Sequence, residues 1–187
     1  IKAELLKYIE TVVKRYKNSK AIAFWQVENE PLFKFGECPA WYYKDADFLK
    51  TEVELVKSLD PARQIIISDS GEQSTWFSVA KIGDIVGITM YRKVFANVAD
   101  TFGFQVYSFL NPVTYFKKAE IIKKTFSKDV IVIELQAEPW TSTTFLDAPL
   151  EEQLKSMNSD IFKENIEFAR QTGLNKFYLW GAEWWYW

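Results

Sequence analysis

Two glutamates each follow an apolar run that has the composition of a buried β-strand. Glu30 follows the segment from Ala23 to Val27, and Pro31 cannot donate to a sheet ladder, so we expect the strand to end there. Glu134 follows the run "VIVI". A charge at the end of a buried strand is costly unless that end opens into a polar cleft. Two carboxylates that face one cleft can cleave a glycosidic bond, because one protonates the leaving oxygen and the other attacks the anomeric carbon or activates water.

The composition excludes several other kinds of catalytic site. The chain has 187 residues, a net charge of −2 and no histidine, so a histidine base, a Ser-His or Cys-His nucleophile and an imidazole zinc site are excluded. The single cysteine, Cys38, cannot form an internal disulfide. Acidic and basic residues are interspersed and no apolar stretch is long enough to span a bilayer, so we expect neither a nucleic-acid partner nor a membrane span. We also expect no cofactor and no metal.

Hydrophobic periodicity divides the chain into alternating helices and strands. The predicted helices are one with apolar residues from Leu5 to Tyr16, one capped by Asp45, a short one in "STWFSVAKIG", one over 114–126, and a long one in "PLEEQLKSMNSDIFKENIEFARQTG" ended by Gly173. The predicted strands are "AIAFWQV", "QIIISDS", "DIVGITMY", "DVIVIELQ" and "KFYLWGAEWW". The segment "KVFANVADTFGFQVYSFLNP" is predicted to be an insertion.

This order of elements predicts an α/β fold with a parallel sheet buried on both faces, because strands of continuous apolar composition alternate with helices. No glycine-rich phosphate loop follows any strand, which argues against a doubly wound nucleotide-binding sheet. Polar residues stand instead at the predicted carboxyl ends of all five strands, namely Glu30, Asp69, Tyr91, Glu134 and Glu183. That arrangement is typical of a (β/α)8 TIM barrel.

Five strands cannot close such a barrel, which takes about 250 residues. The first residue is isoleucine inside a helical pattern, and the chain stops directly after a predicted strand. We therefore expect both ends to be cut, with residues 1–187 forming the C-terminal part of a single catalytic barrel that is incomplete.

Several motifs then resemble one group of enzymes over nearly the whole chain. "NEP", "TMY", "VIVIE" and "YLW" look like strands four, six, seven and eight of the clan A retaining glycoside hydrolases. "WQVENE" is similar to the β-galactosidase families 35 and 42, and "NEP" is commoner in the cellulase and mannanase family 5. The resemblance implies a TIM barrel that acts on an oligo- or polysaccharide, and it suggests a secreted or cell-envelope protein.

The resemblance also assigns a role to each matching residue. It makes Glu30 the general acid/base, Asn29 the amide that binds the sugar 2-hydroxyl, and Glu134 the nucleophile. Tyr91 matches the tyrosine that hydrogen-bonds the nucleophile, and Trp180 matches the platform under the sugar in the −1 subsite. These roles suit the residue types, since a phenol orients a carboxylate and an indole covers the apolar face of a pyranose.

The sequence allows two interpretations at several other positions. Glu138 competes with Glu134 as nucleophile; we favour Glu134 because it stands at the mouth of the strand, whereas Glu138 lies a full loop further on and suits substrate binding or loop fixing. Asp69 and Glu72 either bind sugar hydroxyls or cap the following helix. The aromatic residues at 184–187 either line further subsites or pack against another element.

One departure and three functional hypotheses remain. Thr89 stands where clan A enzymes often carry a histidine, which concerns the subsite details. The leading hypothesis is a retaining β-glycosidase that forms a covalent glycosyl-enzyme. The alternatives are a transglycosylase with the same residues and a non-catalytic carbohydrate-binding barrel, and the presence of both glutamates argues against the latter.

Overall fold

The computed structural model describes residues 1–33, 45–98, 101–107, 110–144 and 146–186, so Cys38 and Trp187 lie outside the described residues. Its helices are α1 (Lys2–Tyr16), α2 (Ala46–Leu59), α3 (Phe77–Ala80), α4 (Pro112–Phe126), α5 (Leu150–Ser156), α6 (Ser159–Gln171) and α7 (Ala182–Tyr186). Its strands are β1 (Trp25–Gln26), β2 (Ile65–Asp69), β3 (Ile85–Met90), β4 (Lys93–Val98), β5 (Thr101–Val106), β6 (Asp129–Gln136) and β7 (Phe177–Trp180). Within these residues, no helix has both the length and the apolar character needed to cross a membrane.

Five of the strands form one sheet in the order β1-β2-β3-β6-β7. The pairs β1–β2 and β6–β7 are parallel, as the alternation of helices and strands predicts. Every residue of β2 and β3 is buried, which agrees with their continuous apolar composition. The predicted α/β class with a parallel sheet is therefore confirmed.

The chain divides into two compact units. Unit 1 comprises Ile1–Ser70, Ser74–Gly87 and Ile122–Val130, and unit 2 comprises Gly71–Gln73, Ile88–Ile121 and Ile131–Trp187. Unit 1 thus contains the elements from α1 to α3, and unit 2 contains most of β6 and everything that follows it.

In unit 1, α1 packs against α2, and a partly exposed arginine joins the ends of these helices to the start of β1. The Arg63 guanidinium donates to the carbonyl oxygens of Lys17, Ser19 and Ile22 at 2.5–2.8 Å. Arg63 also bonds the Asp60 carboxylate, which accepts the indole N–H of Trp25 at 2.9 Å. The Trp25 hydrogen bond is the main cause that lowers the pKa of Asp60, with Arg63 adding to it. Because each of the three nitrogens of this planar group has an acceptor, the loop before β1 is held in one position.

In unit 2, β4 and β5 form an antiparallel hairpin that the sequence analysis missed. Lys93 pairs with Val106 at one end of the ladder, and Val98 pairs with Thr101 at the other. Both strands lie inside the segment predicted as an insertion. Two runs of β-branched and aromatic residues separated by two residues are the signal that would have identified them.

The long helix predicted over 149–173 is wrong, because the structure contains two helices there, α5 and α6. Asn158 takes an extended conformation, and its side chain accepts hydrogen bonds from the backbone N–H groups of Asp160 and Ile161. An asparagine that satisfies two backbone donors in this way starts a new helix. Gly173, with φ of 71°, follows α6 as the predicted left-handed cap.

Both edge strands are shorter than predicted. β1 covers two residues of the predicted seven, and it ends before Glu28, whose φ of 62° cannot continue a ladder. β7 ends at Trp180, and Glu183 lies in α7, so its prediction as a strand-end residue is wrong. Since β1 and β7 each have one neighbouring strand in the sheet, their side chains are more exposed than those of β2 and β3.

Unit 1 also buries an acidic side chain. Glu52 on α2 is 1% exposed, and its Oε1 has no hydrogen-bond partner among the described residues. Burial raises the pKa of Glu52 to about 8, with a further contribution from the charge of Glu28, to which Glu52 is hydrogen-bonded. The folded protein therefore holds a proton on Glu52 at neutral pH.

We expect Glu52→Gln to stabilise the protein at pH 8 but not at pH 4. In the unfolded chain Glu52 loses its proton near its ordinary value of 4.5, and in the folded chain only near 8. The free energy of unfolding therefore falls as the pH rises through this range, and glutamine removes that loss. Thermal unfolding followed by circular dichroism should show a Tm increase of several degrees at pH 8, since about 1 kcal/mol corresponds to roughly 2–4 °C.

The exposed Glu54 on the same helix supplies the control. Glu54→Gln should leave the Tm unchanged at both pH values. A Tm difference between Glu52→Gln and the wild type that does not vary with pH would contradict the assigned protonation.

Candidate active site

Glu134 lies inside β6, two residues before the end of that strand, and not at its mouth as predicted. Its side chain is 7% exposed. The pairing of β6 with β7 shifts register between Val132 and Leu135, so an irregularity of the strand surrounds this glutamate. Such irregularities re-aim a side chain, and they are common beside active sites.

Tyr91 holds the Glu134 carboxylate. The Tyr91 hydroxyl donates a hydrogen bond of 2.9 Å to Oε2 of Glu134. Its ring meets that of Trp140 edge to face, with 4.9 Å between the ring centroids. Burial, followed by the charge of Glu134, raises the pKa of Tyr91 far above its ordinary value, so the hydroxyl keeps its proton. The predicted contact between these two side chains is present.

Opposing effects act on the pKa of Glu134. Burial is the largest, and it raises the pKa; the charges of Glu72 and Glu138 raise it further. The hydrogen bond from Tyr91 lowers it, because the bond stabilises the charged form. Tyr91 is thus the group that favours the ionised carboxylate in this site.

Glu138 lies two residues after the end of β6, which extends to Gln136, so the prediction that a full loop separates it from the strand is wrong. Its carboxylate accepts a hydrogen bond from the Trp180 side chain, which lowers the pKa of Glu138, while burial raises it by more. Gly181, with φ of 117°, brings its backbone so close to Glu138 that a Cβ there would overlap the glutamate side chain. Glu138 and Trp180 are therefore positioned together.

The Asn29–Glu30 segment lies in unit 1, where β2 holds it. The Glu30 N–H donates to the Ser68 hydroxyl at 2.7 Å, and that hydroxyl lies 3.3 Å from Oδ1 of Asn29. Glu28 and Glu30 have positive φ values, 62° and 45°, which side chains other than glycine rarely adopt. Strained residues of this kind persist where the surroundings hold them, and they cluster at functional sites.

Asp69 is 2% exposed and lies at the end of β2. One of its oxygens accepts from the Ser70 N–H at 3.0 Å, and the other accepts from the Ser74 hydroxyl. It does not cap α3, whose N-cap is Trp76 and has no side-chain cap. Asp69 orders the loop after β2, and its binding of a sugar hydroxyl stays a prediction.

Glu72 and Gln136 hold the chain around Tyr91, and sequence reasoning missed both roles. Glu72 does not cap α3; it accepts the backbone N–H of Tyr91 at 2.6 Å. The buried Gln136 accepts from the N–H groups of Arg92 and Lys93 at 2.9 and 3.0 Å. The position of Gln136 at the end of an apolar strand was the available signal, since a buried amide requires partners.

The remaining candidate aromatic residues are structural in part. Trp76 is fully buried and is a core residue. Trp184 donates to Gln153 and Trp185 donates to the carbonyl of Ala137, each at 2.7 Å. Among the described residues no group of three or more Cys, Asp or Glu side chains is arranged to hold a metal ion.

The chain is similar to known carbohydrate-active proteins. The family model described as glycosyl hydrolases family 2, TIM barrel domain, matches residues 1–174. "Probable mannan endo-1,4-beta-mannosidase A" from Aspergillus clavatus is 37% identical over 65 residues, which cover 35% of this chain and 17% of that protein. A β-D-glucuronidase structure from Dictyoglomus thermophilum has a TM-score of 0.58 at 17% identity, over 94% of this chain and 28% of that one. Xylanase 10B from Thermotoga petrophila, in complex with xylobiose, has a TM-score of 0.56 at 16% identity, over 95% of this chain and 53% of that one.

These comparisons confirm the expected glycoside hydrolase barrel. The matched family is family 2, whereas the sequence motifs were similar to families 5, 35 and 42. The likeness to the two solved structures shows the fold alone. The chain spans less than two thirds of the length of each of these three proteins.

We expect Tyr91→Phe to raise the pKa of Glu134. The substitution removes the hydrogen bond that lowers this pKa and leaves burial and the negative neighbours in place. A carbon-13 NMR titration of the Glu134 carboxyl group should show the shift. Tyr178→Phe, an exposed position on β7, is the control and should leave the titration unchanged. An unaltered titration in Tyr91→Phe would mean that the hydroxyl does not stabilise the carboxylate.

Proposed function

The chain belongs to the glycosyl hydrolases family 2, TIM barrel domain family, and on this premise we propose that residues 1–187 form the C-terminal part of the catalytic barrel of a retaining β-glycosidase. Glu134 is the nucleophile and Glu30 is the general acid/base. The observation that carries the proposal is the hydrogen bond between the Tyr91 hydroxyl and the buried Glu134 carboxylate.

This contact supports a nucleophilic role for three reasons. A carboxylate that is mostly withdrawn from water is poorly solvated, which favours its attack on an electrophilic carbon. The Tyr91 hydroxyl favours the ionised form and holds Oε2 in place. The register shift in β6 at this point gives the strand a geometry unlike its regular part.

The proposed reaction has two steps. In the first, a carboxylate oxygen of Glu134 bonds to the anomeric carbon, the glycosidic bond breaks, and Glu30 gives its proton to the departing oxygen. In the second, Glu30 takes a proton from water, the water oxygen bonds to the anomeric carbon, and the ester to Glu134 breaks. The product sugar then has its original anomeric configuration.

The segment in unit 1 supports the role proposed for Glu30. Ser68 is buried in β2 and fixes both the Glu30 backbone and the Asn29 amide. An acid/base group must be held within hydrogen-bond reach of the proton that it transfers. The strained backbone at Glu28 and Glu30 supports a segment that is set before the substrate binds.

Trp180 and Glu138 are proposed to contact the sugar. Trp180 is 46% exposed, so part of its indole remains available to stack on a pyranose. Its hydrogen bond to Glu138 fixes the ring and leaves a second carboxylate beside it. Glu138 then binds a sugar hydroxyl or orients the platform, and it does not attack the anomeric carbon.

We propose a β-linked sugar as substrate. The similar proteins are named as a β-mannosidase, a β-glucuronidase and a xylanase, which differ in the hydroxyls and carboxylates that they recognise. Nitrophenyl β-mannoside, β-glucuronide, β-xyloside and β-galactoside should be tested with the full-length protein that carries this chain. Hydrolysis of at least one would support the glycosidase. Transfer to an added sugar acceptor would favour the transglycosylase, and binding without turnover would favour the carbohydrate-binding barrel.

Azide should distinguish the roles of the two proposed catalytic glutamates in the full-length protein. With an activated aryl β-glycoside, Glu134→Ala cannot form the glycosyl-enzyme, so azide attacks the anomeric carbon directly and gives the α-glycosyl azide. In Glu30→Ala the activated leaving group needs little protonation, so the glycosyl-enzyme forms and azide then gives the β-glycosyl azide. The configuration of each product is read by NMR.

Glu138→Ala is the matched control, because it removes the neighbouring carboxylate. It should keep measurable hydrolysis with weaker substrate binding. An α-glycosyl azide from Glu138→Ala would transfer the nucleophile role to that residue. Full activity in both Glu30→Ala and Glu134→Ala would overturn the proposed function.

A further inference from the structure

A second carboxylate is built into the support of the proposed nucleophile. Oε1 of Glu72 accepts the backbone N–H of Tyr91 at 2.6 Å and lies 3.3 Å from the Tyr115 hydroxyl. Oε2 of Glu72 accepts the Thr89 hydroxyl at 3.1 Å. These contacts connect Glu72 to both sides of the end of β3, because Thr89 belongs to the strand and Tyr91 follows it.

We propose that Glu72 is a positioning residue that holds the Tyr91 backbone, and through it the Tyr91 hydroxyl, on the Glu134 carboxylate. The proposal rests on the proposed function, in which Glu134 is the nucleophile. Glu72 itself does not touch the reacting atoms in this scheme.

The path from Glu72 to Glu134 passes through one residue. Glu72 binds the backbone N–H of Tyr91, and the hydroxyl at the other end of the same residue donates to Glu134 at 2.9 Å. The edge-to-face contact with Trp140 limits rotation of the ring between these two points. A displacement of the Tyr91 backbone would therefore move the hydroxyl directly.

The segment that carries Glu72 is itself held closely. Gly71 donates its N–H to the Thr89 hydroxyl at 3.0 Å, and its carbonyl accepts from Lys118 at 2.8 Å. A Cβ at position 71 would overlap the Thr89 carbonyl oxygen, so only glycine allows this approach. Thr89 stands where clan A enzymes often carry a histidine. In this chain its hydroxyl accepts the Gly71 N–H and donates to the Glu72 carboxylate.

The charge of Glu72 also acts on the nucleophile. Burial has the largest effect on the pKa of Glu134 and raises it. The charges of Glu72 and Glu138 raise this pKa further, and the Tyr91 hydrogen bond lowers it. Burial lowers the pKa of Arg92, and the nearby Tyr115 and the charge of Glu72 oppose that shift. Glu72 therefore has two separable effects, one on the position of Tyr91 and one on the ionisation of Glu134.

Two substitutions in the full-length protein separate these effects. Glu72→Gln keeps a side-chain oxygen for the Tyr91 N–H and removes the charge, so the acid limb of the pH profile of kcat/KM should move to lower pH. Glu72→Ala also removes the hydrogen bond, so kcat should fall by about tenfold or more while KM changes little, because a small misplacement of a catalytic group slows the chemistry. Glu164→Gln, an exposed position on α6, is the control and should change neither.

A double-mutant cycle with Tyr91→Phe tests the connection. If Glu72 acts through Tyr91, then Glu72→Ala should cost much less kcat in the Tyr91→Phe protein than in the wild type. Equal fold losses in the two backgrounds would overturn the proposal, and so would a kcat loss in Glu72→Gln as large as that in Glu72→Ala, because glutamine keeps the acceptor for the Tyr91 N–H. Thermal unfolding of each variant identifies any loss of activity that comes from lost folding. If Glu72→Ala does not fold, Glu72→Gln carries the test, because it keeps the acceptor for the Tyr91 N–H and should keep kcat close to that of the wild type.

The wild-type protein separates this proposal from the proposed function. A 2-deoxy-2-fluoro glycoside of the preferred substrate traps the glycosyl-enzyme, and peptide mass spectrometry locates the label. No label on Glu134 would contradict the proposed function itself. A label on Glu134, with Glu72 variants that react with the trap as fast as the wild type, would overturn the role of Glu72 alone.

Discussion

The Glu134 carboxylate imposes the main physical constraint on unit 2, because a charge withdrawn from water needs a hydrogen-bond donor that favours its ionised form. Tyr91 supplies that donor, and burial keeps the Tyr91 hydroxyl protonated. Tyr91 in turn depends on Glu72, which binds its backbone, and on Gln136, which binds the next two backbone N–H groups. The described residues of the unit thus contain a connected polar network that joins Glu72, Tyr91, Glu134 and Gln136.

Unit 1 holds the short segment 28–30 in an unfavourable backbone conformation. Glu28 and Glu30 both have positive φ, and such residues cost of the order of 1–3 kcal/mol each. Ser68 holds the segment from β2, and Arg63 fixes the chain that leads into β1. Rigid neighbours on both sides of the segment explain how a two-residue edge strand can present it.

The sequence predicted much of the fold because its signals are local. Apolar periodicity located α1, α2, α4 and the three inner strands, and the alternation of helices and strands indicated a parallel α/β sheet. It failed where a local hydrogen bond or backbone angle decided the outcome. Asn158 divided the last long helix, and the Ile22 N–H bonds to the Ser19 carbonyl in a local turn, so β1 begins later than predicted. The β4–β5 hairpin was missed because it depends on pairing between two separate runs, which the periodicity within either run does not show.

The candidate site, like the fold, was predictable from the sequence only in part. Residue types and motif order were enough to single out Glu30, Glu134 and Tyr91 and to exclude histidine chemistry, because those properties depend on which side chains exist in which order. The sequence alone also indicated the glycoside hydrolase barrel to which the family match assigns the chain. Only the tertiary structure showed that Glu72 supports Tyr91, since a contact between residues 19 positions apart depends on how β3 packs against the loop after β2. Burial and long-range hydrogen bonds exist only in the folded chain, and for that reason the ionisation of Glu134 was decided there.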